Sequence, residues 1–127
     1  MNARKYFQKI QEIILAAPHV IQVNLAFDEV SENECYIRGS LTLTGGFELF
    51  VAEYVVTEPT MKRLKYRYHL QTVGKDFIAR WDNPPHHPEV ESHPDHLHLT
   101  QSIVKPSSAM DLDSVLEAIL PLLTQDK

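Results

Sequence analysis

Residues 41–56, LTLTGGFELFVAEYVV, decide how the rest of the chain is read. Leu41 and Leu43 alternate with Thr42 and Thr44, the period of two that marks a strand with one apolar face. Gly45-Gly46 then supplies the positive φ angles that a tight hairpin turn demands. Beyond the turn, Leu49, Val51 and Val55 face one way and Phe50, Ala52, Tyr54 and Val56 the other. A strand apolar on both sides is expected at the centre of a sheet, covered on both faces or nearly so.

The same period extends outward. Upstream, Ile37 continues the apolar face against Arg38 and Ser40, with Gly39 as a candidate bulge. Ile21, Val23, Leu25 and Phe27 alternate with Gln22, Asn24, Ala26 and Asp28. Downstream, Glu58-Pro59-Thr60 is a loop and residues 62–72 alternate again. Gly74 marks a turn into a short strand at residues 77–81, and residues 96–104 suit a last strand. Spacing changes to three and four at both ends of the chain. Tyr6, Phe7, Ile10, Ile13, Ile14 and Ala17 form one stripe of a helix from Ala3 to about Ala17, closed by Pro18. Leu112, Val115, Leu116, Ile119 and Leu122 form another, starting near Ser108, whose spacing to Asp111 resembles a capping box. The expected fold is α+β: an antiparallel sheet of about five or six strands, with the N-terminal and C-terminal helices packed on one face.

Bulk properties narrow the function. At 127 residues with no repeat or low-complexity linker, residues 1–127 are expected to form a single domain. No apolar run reaches the roughly 18–20 residues that cross a bilayer, so no membrane partner is expected. The single cysteine, Cys35, rules out an internal disulfide and, with no signal peptide visible, fits a cytoplasmic location. A net charge of −5 argues against a broadly basic nucleic-acid surface. It leaves room for a local one, because the run MKRLKYRYH at 61–69 concentrates Lys62, Arg63, Lys65 and Arg67.

Five of the seven histidines, His86, His87, His93, His96 and His98, fall within thirteen residues. Imidazole titrates near neutrality and also ligates metals, which gives two readings. His96 and His98 lie two apart and share a strand face, so they could hold one ion, with a carboxylate or a histidine of the pair His86 and His87 completing a three-ligand set. The spacing matches no well-known ligand signature, and His-rich loops often take up nickel or zinc without purpose. The other reading is metal-free acid–base cleavage of a phosphodiester. Lys65, Arg67 and His69 share one face of their strand, while Tyr66, Tyr68 and Leu70 take the other. Arg80 and Asp82 share a face of the next strand. If the two strands pair, Arg67, His69 and Arg80 converge beside the His-rich segment as a phosphate-binding corner. Glu53, an acid in an apolar strand, is either a salt-bridge partner or a carboxylate of raised pKa. The bland reading of the Lys/Arg row is a solvated face or a guarded edge.

The succession GGFELFVAEYV (45–55), KYRYHLQ (65–71), ARWDNPPHHPEV (79–90) and HPDHLH (93–98) resembles the TumE-type toxins of prokaryotic toxin–antitoxin pairs. Arg80, Asp82, Asn83, Pro85, His86 and His87 match the family pattern together, and its H-x-H falls on His96 and His98. Two positions depart: Asp95 stands where another His is commoner, and Phe47-Glu48 replace a small polar residue after Gly. The resemblance implies a two-gene system with a helix-turn-helix antitoxin as partner. With the residues above, it points to a small nuclease acting on RNA. His69, His86, His87, His96 and His98 would supply acid and base, and Lys65, Arg67, Arg80, Asp82 and Glu53 would bind substrate. The alternative is a non-enzymatic module that uses the His/Pro-rich segment as a protein interface or metal clasp. The residues leave open the substrate, the use of a divalent metal and whether the chain forms a homodimer.

Overall fold

The computed structural model describes residues 1–83, 95–99 and 104–124. Helix α1 spans Ala3–Leu15. Asn2 caps it, its side-chain oxygen accepting from the Lys5 N–H at 2.9 Å. Ala3, Tyr6, Ile10 and Ile14 are buried, and Phe7, Ile13 and Ala17 pack at the margin of the same core. Pro18 stops the helix as expected, although regular geometry ends at Leu15.

Seven strands follow among the described residues: β1 (Val20–Ser31), β2 (Glu34–Leu43), β3 (Phe47–Val56), β4 (Lys62–Thr72), β5 (Phe77–Asp82), β6 (His96–His98) and β7 (Val104–Pro106). Each pairs antiparallel with the next, so spatial order equals chain order. Helix α2 (Leu112–Ala118) and a 3-10 turn (Leu120–Thr124) close the described chain.

One sheet face is the core. The row Leu41–Leu49–Leu70–Ala79 and the row Val51–Tyr68–Trp81 run across the strands and are buried. Leu112, Val115 and Leu116 of α2 join α1 over this face in one apolar cluster. At about 1.5–3 kcal/mol for each fully buried large side chain, this one-sided burial is the main source of stability.

Four expectations change. The span 96–104 is two short strands paired with each other rather than one, which takes the count to seven. Strand β3 is central but covered on one face only, leaving Phe50 40% exposed on the other. Gly39 sits in regular register opposite Leu25 and Val51, so it forms no bulge. It is needed because β1 approaches closely: with φ at +150°, a Cβ there would lie 2.0 Å from the Asn24 carbonyl oxygen. Finally, α2 begins after Asp111, not Ser108, because the Asp111 carboxylate accepts the Ser114 N–H at 2.8 Å and makes Asp111 the cap. The hairpin at Gly45-Gly46 forms as expected, with both glycines at positive φ.

Gly39→Ala should lower stability by about 1–3 kcal/mol through backbone strain and the clash with Asn24. Thermal unfolding measures it, and a melting temperature equal to that of the parent would refute the close-approach account.

Candidate functional site

The helix-free face of the sheet carries the polar cluster. Register decides its layout, since residues directly opposite on antiparallel strands point the same way. Arg67 of β4 stands opposite Asp82 of β5, which stands opposite His96 of β6. His69 likewise faces Arg80, and Arg80 faces His98. Six side chains thus form two adjoining rows of three.

Asp82 is the hub, with a side chain only 2% exposed. Its Oδ1 lies 2.7 Å from His96 Nε2 and accepts from His98 Nε2 at 3.1 Å. Its Oδ2 lies 3.0 Å from Arg80 Nε and 3.8 Å from Arg67 Nε. A buried carboxylate without partners would cost several kcal/mol, so these cations and imidazoles are what allow it to sit there. Burial holds His98 below the usual histidine range, with Arg80 and His96 adding to the effect and Asp82 opposing it. The three groups Asp82, His96 and His98 offer two nitrogens and one oxygen within 4.8 Å of one another, a donor set of the kind that holds a transition metal.

His69 is the accessible imidazole among the described site residues. Burial lowers its pKa first, and the Arg80 and Arg67 charges lower it further, while a hydrogen bond to Gln71 opposes them. That bond fixes its chemistry. Gln71 donates its Nε2–H to Glu48 Oε1 at 3.0 Å, which turns Gln71 Oε1 toward His69 Nε2 at 3.2 Å. A carbonyl oxygen only accepts, so His69 carries its proton on Nε2 and keeps the Nδ1 lone pair free as a base. Phe77 and Phe50 meet the ring edge-on at 5.2 and 6.2 Å between centroids.

The end of β5 is held by Asn83. Its side-chain oxygen accepts the Tyr66 N–H at 2.9 Å, and its amide donates to the Leu64 carbonyl at 3.2 Å. The side chain thereby extends the contact between the two strands past Asp82. Tyr66 on the core face donates to Asp95 Oδ1 at 2.7 Å, which ties β4 to the residue just before β6.

Of the residues proposed from sequence, Arg67, His69, Arg80, Asp82, His96 and His98 are brought together, and Lys65 sits exposed on the same face at the end of the row. Glu53 is not with them. It is buried on the helix-covered face, where Tyr6 and Tyr68 donate to its two oxygens, the latter at 2.5 Å. Burial raises its pKa against those bonds and the nearby Arg63. His86, His87 and His93 lie outside the described residues. The sequence reading missed Glu48 and Gln71, although Gln71 lies two residues from His69 and therefore on its face. Cys35 is buried, with its thiol pushed up to about 11 mainly by burial.

A seven-stranded meander with helices on one face and an Arg/Asp/His grid on the other defines a small α+β protein with a polar site built on a sheet. Comparison with known proteins gives the family: the model described as Toxin TumE matches residues 10–126, and the chain belongs to that family. The match reaches well beyond the 45–98 core of the resemblance seen in the sequence. No curated protein and no solved structure matches. Membership of a toxin family implies the toxin half of a toxin–antitoxin pair and an antitoxin partner. No helix among the described residues is long and apolar enough to cross a membrane.

Asp82→Ala should cost about 3–5 kcal/mol, because it strands Arg80 and two imidazoles that are now paired. Chemical denaturation of the variant against the parent measures this, and a loss below about 1 kcal/mol would mean that Asp82 is not the hub.

Proposed function

We propose that this chain is a toxin that cleaves RNA in the cytoplasm by 2′-hydroxyl attack, and that a helix-turn-helix antitoxin restrains it. One observation carries the reading: Arg67, Arg80 and the base-ready imidazole of His69 stand side by side on one exposed sheet face. Arg67 has 56% and Arg80 30% of its side chain exposed, so both can meet a phosphate while Asp82 holds them from below.

In the reaction, His69 Nδ1 takes the proton of the 2′-hydroxyl. The oxygen attacks phosphorus, and the bond from phosphorus to the 5′-oxygen breaks, leaving a 2′,3′-cyclic phosphate. Arg67 and Arg80 neutralise the charge that grows on the non-bridging oxygens, and Lys65 extends the cationic row toward the neighbouring phosphate. A second imidazole protonates the leaving oxygen; His86 and His87 are the candidates that the sequence offers. His96 and His98 are nearly inaccessible and hold Asp82 rather than touch substrate. Glu48 and Gln71 fix the His69 tautomer, as an acid orients the imidazole of a catalytic triad.

Expression of the chain without its antitoxin should arrest growth and degrade RNA. His69→Ala should remove most of the roughly 10²–10⁴-fold that general base catalysis supplies. Arg67→Ala and Arg80→Ala should each raise KM or lower kcat on an RNA oligonucleotide. Intact RNA at all protein concentrations, together with normal growth, would sink the proposal. The alternative, an interface that only binds a partner, would then gain, and replacing His86 and His87 together should abolish antitoxin binding instead.

The pH profile follows from the sign of the His69 shift. Its folded pKa lies below the ordinary 6.5, so the base form persists into mildly acid solution. The acid limb of activity should therefore lie below about pH 6.5, and the alkaline limb should report the imidazole that protonates the leaving oxygen. Arg67→Lys keeps the charge and should leave that limb in place, whereas Arg67→Ala removes one lowering charge and should move it upward. An acid limb unmoved in Arg67→Ala would remove His69 from the role of base.

A further inference from the structure

We propose that Asp82, His96 and His98 form a binding site for a divalent first-row transition cation, with zinc as the reference ion. The proposal rests on the geometry of the three side chains and does not require the chain to be a nuclease.

Three features carry it. The first is convergence. Two Nε2 atoms approach one carboxylate oxygen at 2.7 and 3.1 Å, and all the donor atoms lie within 4.8 Å of one another. Ligand atoms about 2.0–2.2 Å from a tetrahedral zinc are spaced only slightly wider than this, so small side-chain movements would admit the ion. The second is burial: the three residues are 1, 1 and 6% exposed, so the site is walled and set on paired strands rather than on a loose loop. The third is donor chemistry. Two imidazoles and a carboxylate suit zinc, iron, cobalt, nickel or manganese, whereas magnesium and calcium prefer oxygen ligands throughout.

The surroundings say what completes the coordination. Asp82 contributes one negative charge, while Arg80 and Arg67 stand 3.0 and 3.8 Å from its other oxygen. A dication added there leaves the site strongly positive, so an anionic oxygen ligand such as phosphate fits the remaining position. Among the described residues three protein ligands converge, the number that catalytic zinc sites supply. A plain hydrogen-bonded triad would use the same contacts, and the two arrangements differ in whether both Nε2 atoms serve a cation.

The test is titration of the chelator-stripped full-length protein with zinc by calorimetry and with cobalt by visible absorption. The parent should bind one equivalent and give the ligand-field bands of cobalt in a nitrogen-containing site. His98→Gln and His96→Gln should each weaken binding by more than the roughly 10–100-fold that loss of an outer-shell partner costs. The His86→Ala/His87→Ala/His93→Ala variant removes other imidazoles of the His-rich segment and should still bind. The inference is overturned if the parent shows no cobalt bands. It is also overturned if the two Gln variants bind as the parent does, or if the triple variant loses binding altogether. The cobalt spectrum of the parent decides even if a Gln variant fails to fold. None of these readouts involves RNA, so a chain that binds zinc but cleaves nothing keeps this site and loses the nuclease reading.

Discussion

Everything on the open face depends on one buried carboxylate. Asp82 is 1% exposed, and a lone ion there would cost far more than any single contact could return. The cost is met by crowding: two imidazoles on one oxygen, and guanidinium groups near the other. Each of these partners comes from a neighbouring strand or from β5 itself. The carboxylate therefore helps the backbone ladder to fix the β4–β5–β6 register. A slip of one residue would turn Asp82 toward the helices and Trp81 toward solvent.

The opposite face has its own buried acid, and the contrast explains why only one face is a candidate site. Glu53 is surrounded by Tyr6, Tyr68 and, one step away, Arg63, whose Nη1 reaches the Tyr6 hydroxyl at 3.4 Å. Those partners link α1 to the middle of the sheet, and the helices close the space above. Burial drives its pKa up and no charge meets it directly, so it acts as a polar rivet in an apolar layer. Asp82 faces guanidinium groups that are partly in solvent. The same residue class thus serves adhesion on one face and charge display on the other, and the difference lies in what covers it.

Strand period and turn chemistry made the meander legible, because alternation and glycine pairs are local properties. The face shared by Lys65, Arg67 and His69 could be read for the same reason. Register could not. Whether Arg67 stands opposite Asp82 or one residue away depends on the irregularity at Leu70/Gln71 in the β4–β5 pairing, which no local pattern announces. Glu53 was misplaced with the cations because an acid in an apolar strand looks alike from either side. The open face of β3 was expected to be covered because Phe50, Ala52 and Tyr54 are apolar. Yet a sheet with both helices on one side leaves such residues exposed, and Phe50 finds His69 instead. The β-ribbon end at β6 and β7 is three residues in each strand, too short for a period to define.

The negative net charge is the remaining objection to an anion-binding site, and distance answers it. At physiological ionic strength charges in solvent are screened beyond about 8 Å, so a substrate feels the local face rather than the sum of −5. Much of the acidity is already committed. Glu29 pairs with Arg4, Asp111 caps α2 and lies 3.9 Å from Arg63, and Glu53 is sealed in the core. Glu48, diagonal to His69 in the β3–β4 register, is occupied by Gln71. Among the described residues, what remains on the face around Arg67 and Arg80 is a cationic corner whose buried anion, Asp82, is paired with the guanidinium groups. An approaching phosphate therefore meets Arg67 before it meets the carboxylate, and the acid orients the attraction instead of cancelling it.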